Sequence, residues 1–156
     1  MEMAGLPKTV NNEDLQEAAC EVLDRMYFAA LVPAEEAMPV PQGDAGICVA
    51  VGFRGSLSGT LLLRVSRGAA IQLREDFSAG AGTNDPELAL RDAIGELGNM
   101  ICGSFLSTID AHGEYRIARP LHLAPQEFDS FAAELHCAIG VNDGLLEAHL
   151  SWCLLP

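Results

Sequence analysis

Leu90, Ile94, Leu97, Ile101 and Phe105 recur at i, i+4, i+7, i+11 and i+15, the spacing that lines apolar side chains along one face of an α-helix. The other side of the same stretch carries Asp92, Glu96 and Asn99 at i, i+4 and i+7, so a polar stripe faces away from the apolar one. Asp85-Pro86-Glu87 opens the segment with an N-cap residue and a proline at the first helical position. His112-Gly113 closes it, which predicts a helix to about Ile109. Gly95, Gly98 and Gly103 lie inside that helix. Each costs up to ~1 kcal/mol against alanine, and close approach of another backbone is the expected compensation.

A second helical pattern runs through Leu15, Ala19, Val22, Met26 and Ala30, with Asn12 as N-cap and Glu13, Asp14 and Glu17 in the first turns. It is predicted to reach about Val32, where Pro33 stops it. Residues 1–11 read as a loose N-terminal arm, and residues 33–45, with Pro33, Pro39, Pro41 and Gly43, as a connector. Two β-rich runs, 46–53 and 57–65, flank Arg54-Gly55-Ser56 and predict a hairpin. Ser66 is positioned to cap a short helix through Phe77, followed by a loop at Gly80, Gly82, Thr83 and Asn84. Residues 115–123 read as a strand broken by Pro120. Residues 131–141 and 145–154 flank Asn142-Asp143-Gly144 as a last hairpin.

The order long helix, then antiparallel strand pair, thus occurs twice. Glu17, Glu21 and Asp24 in the first helix correspond in spacing to Asp92, Glu96 and Asn99 in the second, and Val22 and Met26 to Leu97 and Ile101. A single α+β domain over residues 1–156 follows. Two long helices pack on one face of an antiparallel β-sheet, with a pseudo-two-fold internal repeat of helix plus β-hairpin.

The net charge of −13, with only nine basic residues, excludes a phosphate-tracking surface and argues against nucleic acid or an anionic membrane as partner. The five cysteines form no CxxC and sit mostly in apolar runs, which predicts reduced thiols and a cytoplasmic protein. No signal peptide and no apolar run long enough to span a bilayer is visible.

The chemistry rests on the polar stripe. An asparagine amide donates and accepts at once, so it can hold a water and aim its lone pair, although it is a poor base. An ionised glutamate one turn away accepts only, and can bind a Lys or Arg of another molecule. The pair suits a reaction whose nucleophile needs orienting more than deprotonating, as in phosphoryl transfer through a loose transition state. Polar residues at these intervals also occur on any solvated helix face.

The string Gly95-Glu96-Leu97-Gly98-Asn99-Met100-Ile101-Cys102-Gly103, led by Asp92, resembles the signature of the chemotaxis phosphatases typified by CheX and CheC. That pattern is Asp or Ser, three residues, Glu, two residues, Asn, and a later Pro. Pro120 falls a little early for it and Pro125 a little late. The resemblance implies a hydrolase acting on the aspartyl phosphate of a CheY-like response regulator. Asn99 would align the attacking water and Glu96 would pair with the regulator's lysine. Asp92 would help docking at the rim, with Gly95 and Gly103 at the partner-facing surface. The regulator would bring the Mg²⁺, so no cofactor or metal of this chain's own is expected. CheC-like members carry two working motifs. Glu21 and Asp24 stand here where Glu and Asn would be needed, which implies one site per subunit and a CheX-like homodimer. The alternative is a non-catalytic module of the same fold that binds signalling proteins.

The remaining candidates read as structural. His136 and His149 lie on the two arms of the last hairpin without further ligands at metal spacing, and His112 and His122 stand alone. Cys102 reads as packing rather than as a nucleophile. Gly80-Ala81-Gly82 lacks the lysine of a phosphate loop. Trp152, in the run 150–155, reads as core strand or dimer edge.

Overall fold

The structure is a computed structural model that describes residues 10–77, 85–110 and 113–153. Its elements in chain order are α1 (Asn12–Tyr27), β1 (Leu31–Pro33), a 3-10 turn (Ala34–Glu36), β2 (Ile47–Gly55), β3 (Ser58–Val65), α2 (Arg67–Phe77), α3 (Pro86–Ile109), β4 (Tyr115–Ile117), β5 (Leu121–Leu123), α4 (Pro125–Asp129), β6 (Leu135–Val141) and β7 (Gly144–Cys153). The predicted arm (1–11) and the loop at Gly80, Gly82, Thr83 and Asn84 lie wholly or almost wholly outside the described residues.

The N-cap of α1 is Asn11 rather than Asn12. Asn11 accepts from the Asp14 N–H while the Asp14 carboxylate accepts from the Asn11 N–H, a reciprocal capping box. The Asn12 carboxamide instead accepts from the His136 N–H and ties the helix start to β6. The helix ends at Tyr27, short of Val32, because Phe28 turns into the left-handed region (φ 51°). The next residues pair with β6, Leu31 opposite Val141. Tyr27 thereby takes the buried place, 2% exposed, while Met26 is 47% exposed and Ala30 is also exposed. Strand pairing has overridden a weak helical periodicity.

All strands join one antiparallel sheet in the order β1-β6-β7-β3-β2-β4, with β5 also on β2. The hairpins β2–β3 and β6–β7 meet at its centre, where Leu61 faces Leu150. The two halves interlock: α1 and β1 pack on the hairpin of the second half, α3, β4 and β5 on that of the first. The β6–β7 turn holds Asn142 at φ 53°, and its carboxamide accepts from the Ala30 N–H. Ser66 does not cap α2 with its side chain. Its hydroxyl takes the Leu145 N–H, and Asp44 accepts from the Arg67 N–H at the helix start.

The core lies between the helices and the inner sheet face, where Val49, Val51, Leu61, Leu63, Leu146 and Leu150 are fully buried with Leu15, Leu23, Ile94, Leu97, Ile101 and Phe105. Burying each such side chain contributes about 1.5–3 kcal/mol. The buried thiols Cys102 and Cys137 are pushed up to about 12 by burial and are inert.

The outer face carries a smaller cluster of Cys48, Leu62 and Phe128 beneath α4. Arg64 lies over the Phe128 ring at 4.4 Å and pairs with Glu147 and Asp129 at 2.8 and 2.9 Å. His149 stacks on the same ring at 4.3 Å, with His136 directly opposite it across the hairpin. Burial lowers the His149 pKa; His136 and Arg64 lower it further, and Glu147 and Asp129 oppose them. The unfolded chain therefore binds more protons near its ordinary value of about 6.5, so stability falls as pH drops through that value. Thermal melts between about pH 7.5 and about pH 5.5 are expected to show this fall, partly flattened in His149→Phe. His122, lowered mainly by burial, adds in the same direction.

Candidate functional site

The polar stripe is held by α3, whose bounds are those the sequence predicts. Asp85 accepts from the Glu87 and Leu88 N–H groups, Pro86 takes the first turn, and Asp110 caps the end. The face of Leu90, Ile94, Leu97, Ile101 and Phe105 is at most 5% exposed along its whole length. A rod anchored by that row has a fixed rotation, so Asp92 and Glu96 point to solvent and Asn99 stands half-buried beside them.

The glycines explain how closely the sheet approaches. A Cβ on Gly98 would stand 3.0 Å from Val51 Cγ2, and one on Gly95 would stand 3.1 Å from Pro120 Cβ. Gly103 is looser, 3.8 Å from Ile117 Cδ1. The compensation for helical glycines is thus contact with side chains of the sheet and its connector, not with another backbone as the sequence suggested. Gly98 lets α3 settle on β2, and Gly95 makes a seat for Pro120.

Pro120 breaks the 115–123 strand into β4 and β5, which pair with opposite ends of β2. The Ala118 N–H donates to Gly52 O at 2.8 Å and holds the break against the sheet. Pro120 then turns onto α3 and forms one wall of a cleft of about 390 Å³ lined by Arg91, Asp92, Gly95, Glu96, Asn99, Arg119, Pro120 and His122. Asp92, Glu96, Asn99 and Gly95 therefore come together, while Gly103 lies outside this lining. Of the two candidate prolines, Pro120 borders the cleft and Pro125 starts α4. Arg91, Arg119 and His122 were not legible as site residues. Only the adjacency of Arg119 to Pro120 hinted at one of them.

Asn99 Oδ1 is buried and has no hydrogen-bond partner among the described residues. A buried acceptor left without a donor costs about 1–3 kcal/mol, so the arrangement favours whatever brings a donor to it. Glu96 stands close enough to the end of α1 that its charge, after burial, raises the Tyr27 pKa; that phenol stays protonated. His122 is kept neutral near pH 7 by burial and by Arg91, against the opposing pull of Asp92. On α1, Glu17, Glu21 and Asp24 are also exposed, and Glu21 pairs with Arg25 at 3.9 Å. Among the described residues no cluster of three His, Cys, Asp or Glu is placed to hold a metal ion, and no helix is long and apolar enough to cross a membrane.

The family model described as chemotaxis phosphatase CheX matches residues 47–136, more than half of the chain, including all of α3 and the Pro120 connector. Among solved structures, a CheX from Borrelia burgdorferi in a CheX–CheY–BeF3–Mg²⁺ complex is 17% identical, covers 90% of this chain and 96% of its own, and has a TM-score of 0.62. The chemotaxis protein CheX of Desulfovibrio desulfuricans is 18% identical, covers 90% and 97%, and has a TM-score of 0.63. The CheX of Vibrio vulnificus is 17% identical, covers 89% and 95%, and has a TM-score of 0.59. At these identities the structures establish a common fold. No curated protein sequence matches.

Proposed function

This chain belongs to the chemotaxis phosphatase CheX family, and on that premise we propose that it hydrolyses the aspartyl phosphate of a CheY-like response regulator through Glu96 and Asn99. The observation that carries the reading is the unpartnered Asn99 acceptor in a cleft beside the exposed Glu96 carboxylate. The Borrelia burgdorferi relative, solved with CheY, supports a partner of that type.

In the proposed step the Asn99 side chain, half-buried in the free protein, turns outward into the regulator's active site, where its Oδ1 accepts a hydrogen bond from a water. The water's lone pair is thereby aimed at phosphorus. Its oxygen bonds to phosphorus as the bond to the aspartyl oxygen breaks. The regulator recovers its carboxylate, and inorganic phosphate leaves with the water's protons. The loose transition state requires little deprotonation in advance, so an orienting amide suffices. Glu96 pairs with the regulator's lysine and so fixes the approach. Asp92 adds docking charge at the rim. Gly95 contributes by seating Pro120 in the cleft wall, and Gly103, half-buried one turn beyond Asn99, leaves the helix surface low there. The Mg²⁺ belongs to the regulator.

Glu96→Lys sets like charges against each other at the contact. It is expected to lower kcat/KM for receiver dephosphorylation at least tenfold, about 1.4 kcal/mol, mostly through KM. A variant with wild-type KM would remove the role given to Glu96. Complex formation with no change in phosphate lifetime would instead support the binding-module reading. The proposal extends to a cytoplasmic homodimer. The sheet edges β1, β4 and β5 are three residues each and β1 ends in Pro33, so backbone pairing alone offers few bonds. Sedimentation as a monomer alone would remove the dimer.

A further inference from the structure

The sheet's outer face, opposite α1 and α3, carries a feature that the proposed phosphatase role does not use. Arg54 on β2 and Arg116 on β4 stand directly opposite each other in the antiparallel register. Both are exposed, and neither has an acidic partner among the described residues. Like charges in that relation are destabilising. In a chain with nine basic against 22 acidic residues, these two arginines stand side by side with their charge free for an anion.

The pair borders a cavity of about 490 Å³ that also includes Ser58, Thr60, Gly52 and Ala118, a volume within the range of about 300–1,000 Å³ usual for small-molecule sites. The second observation is independent of charge. Ser58 lines the cavity, is only 7% exposed, and its buried Oγ has no hydrogen-bond partner among the described residues. Buried hydroxyls are nearly always bonded. An orphan beside two free guanidinium groups suits an acceptor oxygen supplied from outside the chain.

We propose that this outer-face cavity binds a small phosphate monoester, its oxygens held between Arg54 and Arg116 with Ser58 donating, and its organic body lying over Gly52 and Ala118. Guanidinium groups bind phosphate oxygens as two-pronged forks. Two positive charges match a phosphomonoester of about −1.5 to −2 at pH 7 better than a single carboxylate. The floor has room at Gly52, where an added Cβ would make only ordinary contact, 3.9 Å from Ala118 Cβ. The site is separate from the Glu96–Asn99 cleft and does not depend on the phosphatase reading.

The test titrates the full chain with phenyl phosphate and, separately, with phenol, following backbone amide resonances by NMR. Phenyl phosphate is expected to give saturable shifts at Gly52, Thr60 and Ala118, weakened at least about tenfold in Arg54→Gln and in Arg116→Gln. Ser58→Ala is expected to weaken binding less, and Asn99→Ala not at all. The arginine variants keep or raise the melting temperature in the absence of ligand, because the repulsion is relieved. No saturable shift with phenyl phosphate, equal binding by phenol, or unchanged affinity in both arginine variants would each overturn the proposal.

Discussion

Asn99→Ala is expected to remove on the order of 100-fold of the receiver dephosphorylation rate, about 2.7 kcal/mol of barrier, with no loss of folding stability. The two halves of that outcome have separate causes. Rate is lost because nothing else on the stripe can both donate to and accept from a water; Glu96 and Asp92 accept only when ionised. Stability is kept because the amide contributes little to the fold. Its Oδ1 is buried without a partner, so truncation removes an unfavourable group. Alanine is also the better helix former by roughly 0.5 kcal/mol. The melting temperature should be unchanged or higher, as at other sites where activity is held at a cost to stability. Phosphate-release kinetics and a thermal melt on the same preparation check both halves. Loss of rate together with a large drop in melting temperature would mean that Asn99 is structural.

Phe105→Ala is expected to do the reverse. Phe105 is fully buried on the inner face of α3, in the core shared with the sheet. Its truncation leaves a cavity and costs about 3–5 kcal/mol, a large share of the roughly 5–15 kcal/mol usual for a whole domain. In a chain of this size that corresponds to a fall of roughly 6–20 °C in melting temperature. Urea unfolding gives the same quantity independently. Well below the new melting temperature the remaining folded molecules should still act on a receiver, because the cleft residues lie on the opposite face of the helix. A stability loss below about 1 kcal/mol would show that α3 is not anchored by this row.

The contrast between the two variants follows from a helix that was legible in the sequence almost residue for residue. Asp85-Pro86 marks its start chemically, five apolar positions fix its rotation, and the polar stripe follows from that rotation. The hairpins were legible for similar reasons, above all at Asn142-Asp143-Gly144, where the left-handed Asn142 sets the turn. The end of α1 was not legible. Met26 and Ala30 continue the helical spacing, but pairing of Leu31 with Val141 decides the matter, and that contact is 110 residues away. The α4 turn, five residues long, is too short to leave a periodicity. At the site, Glu96 and Asn99 were readable because one helix carries both. Arg119 and His122 were not, because they reach the cleft only through the break at Pro120 and its seat on Gly95. The exchange of helices between the two hairpins was equally hidden, since a repeat in sequence does not specify which hairpin each helix covers.

The most direct test measures phosphate release from a phosphorylated CheY-like receiver domain with this protein present in substoichiometric amount. Each molecule is expected to clear many receivers, with an acceleration that saturates as receiver concentration rises. A phosphate lifetime unchanged by the wild-type protein, across the receiver domains of its source organism, would contradict it.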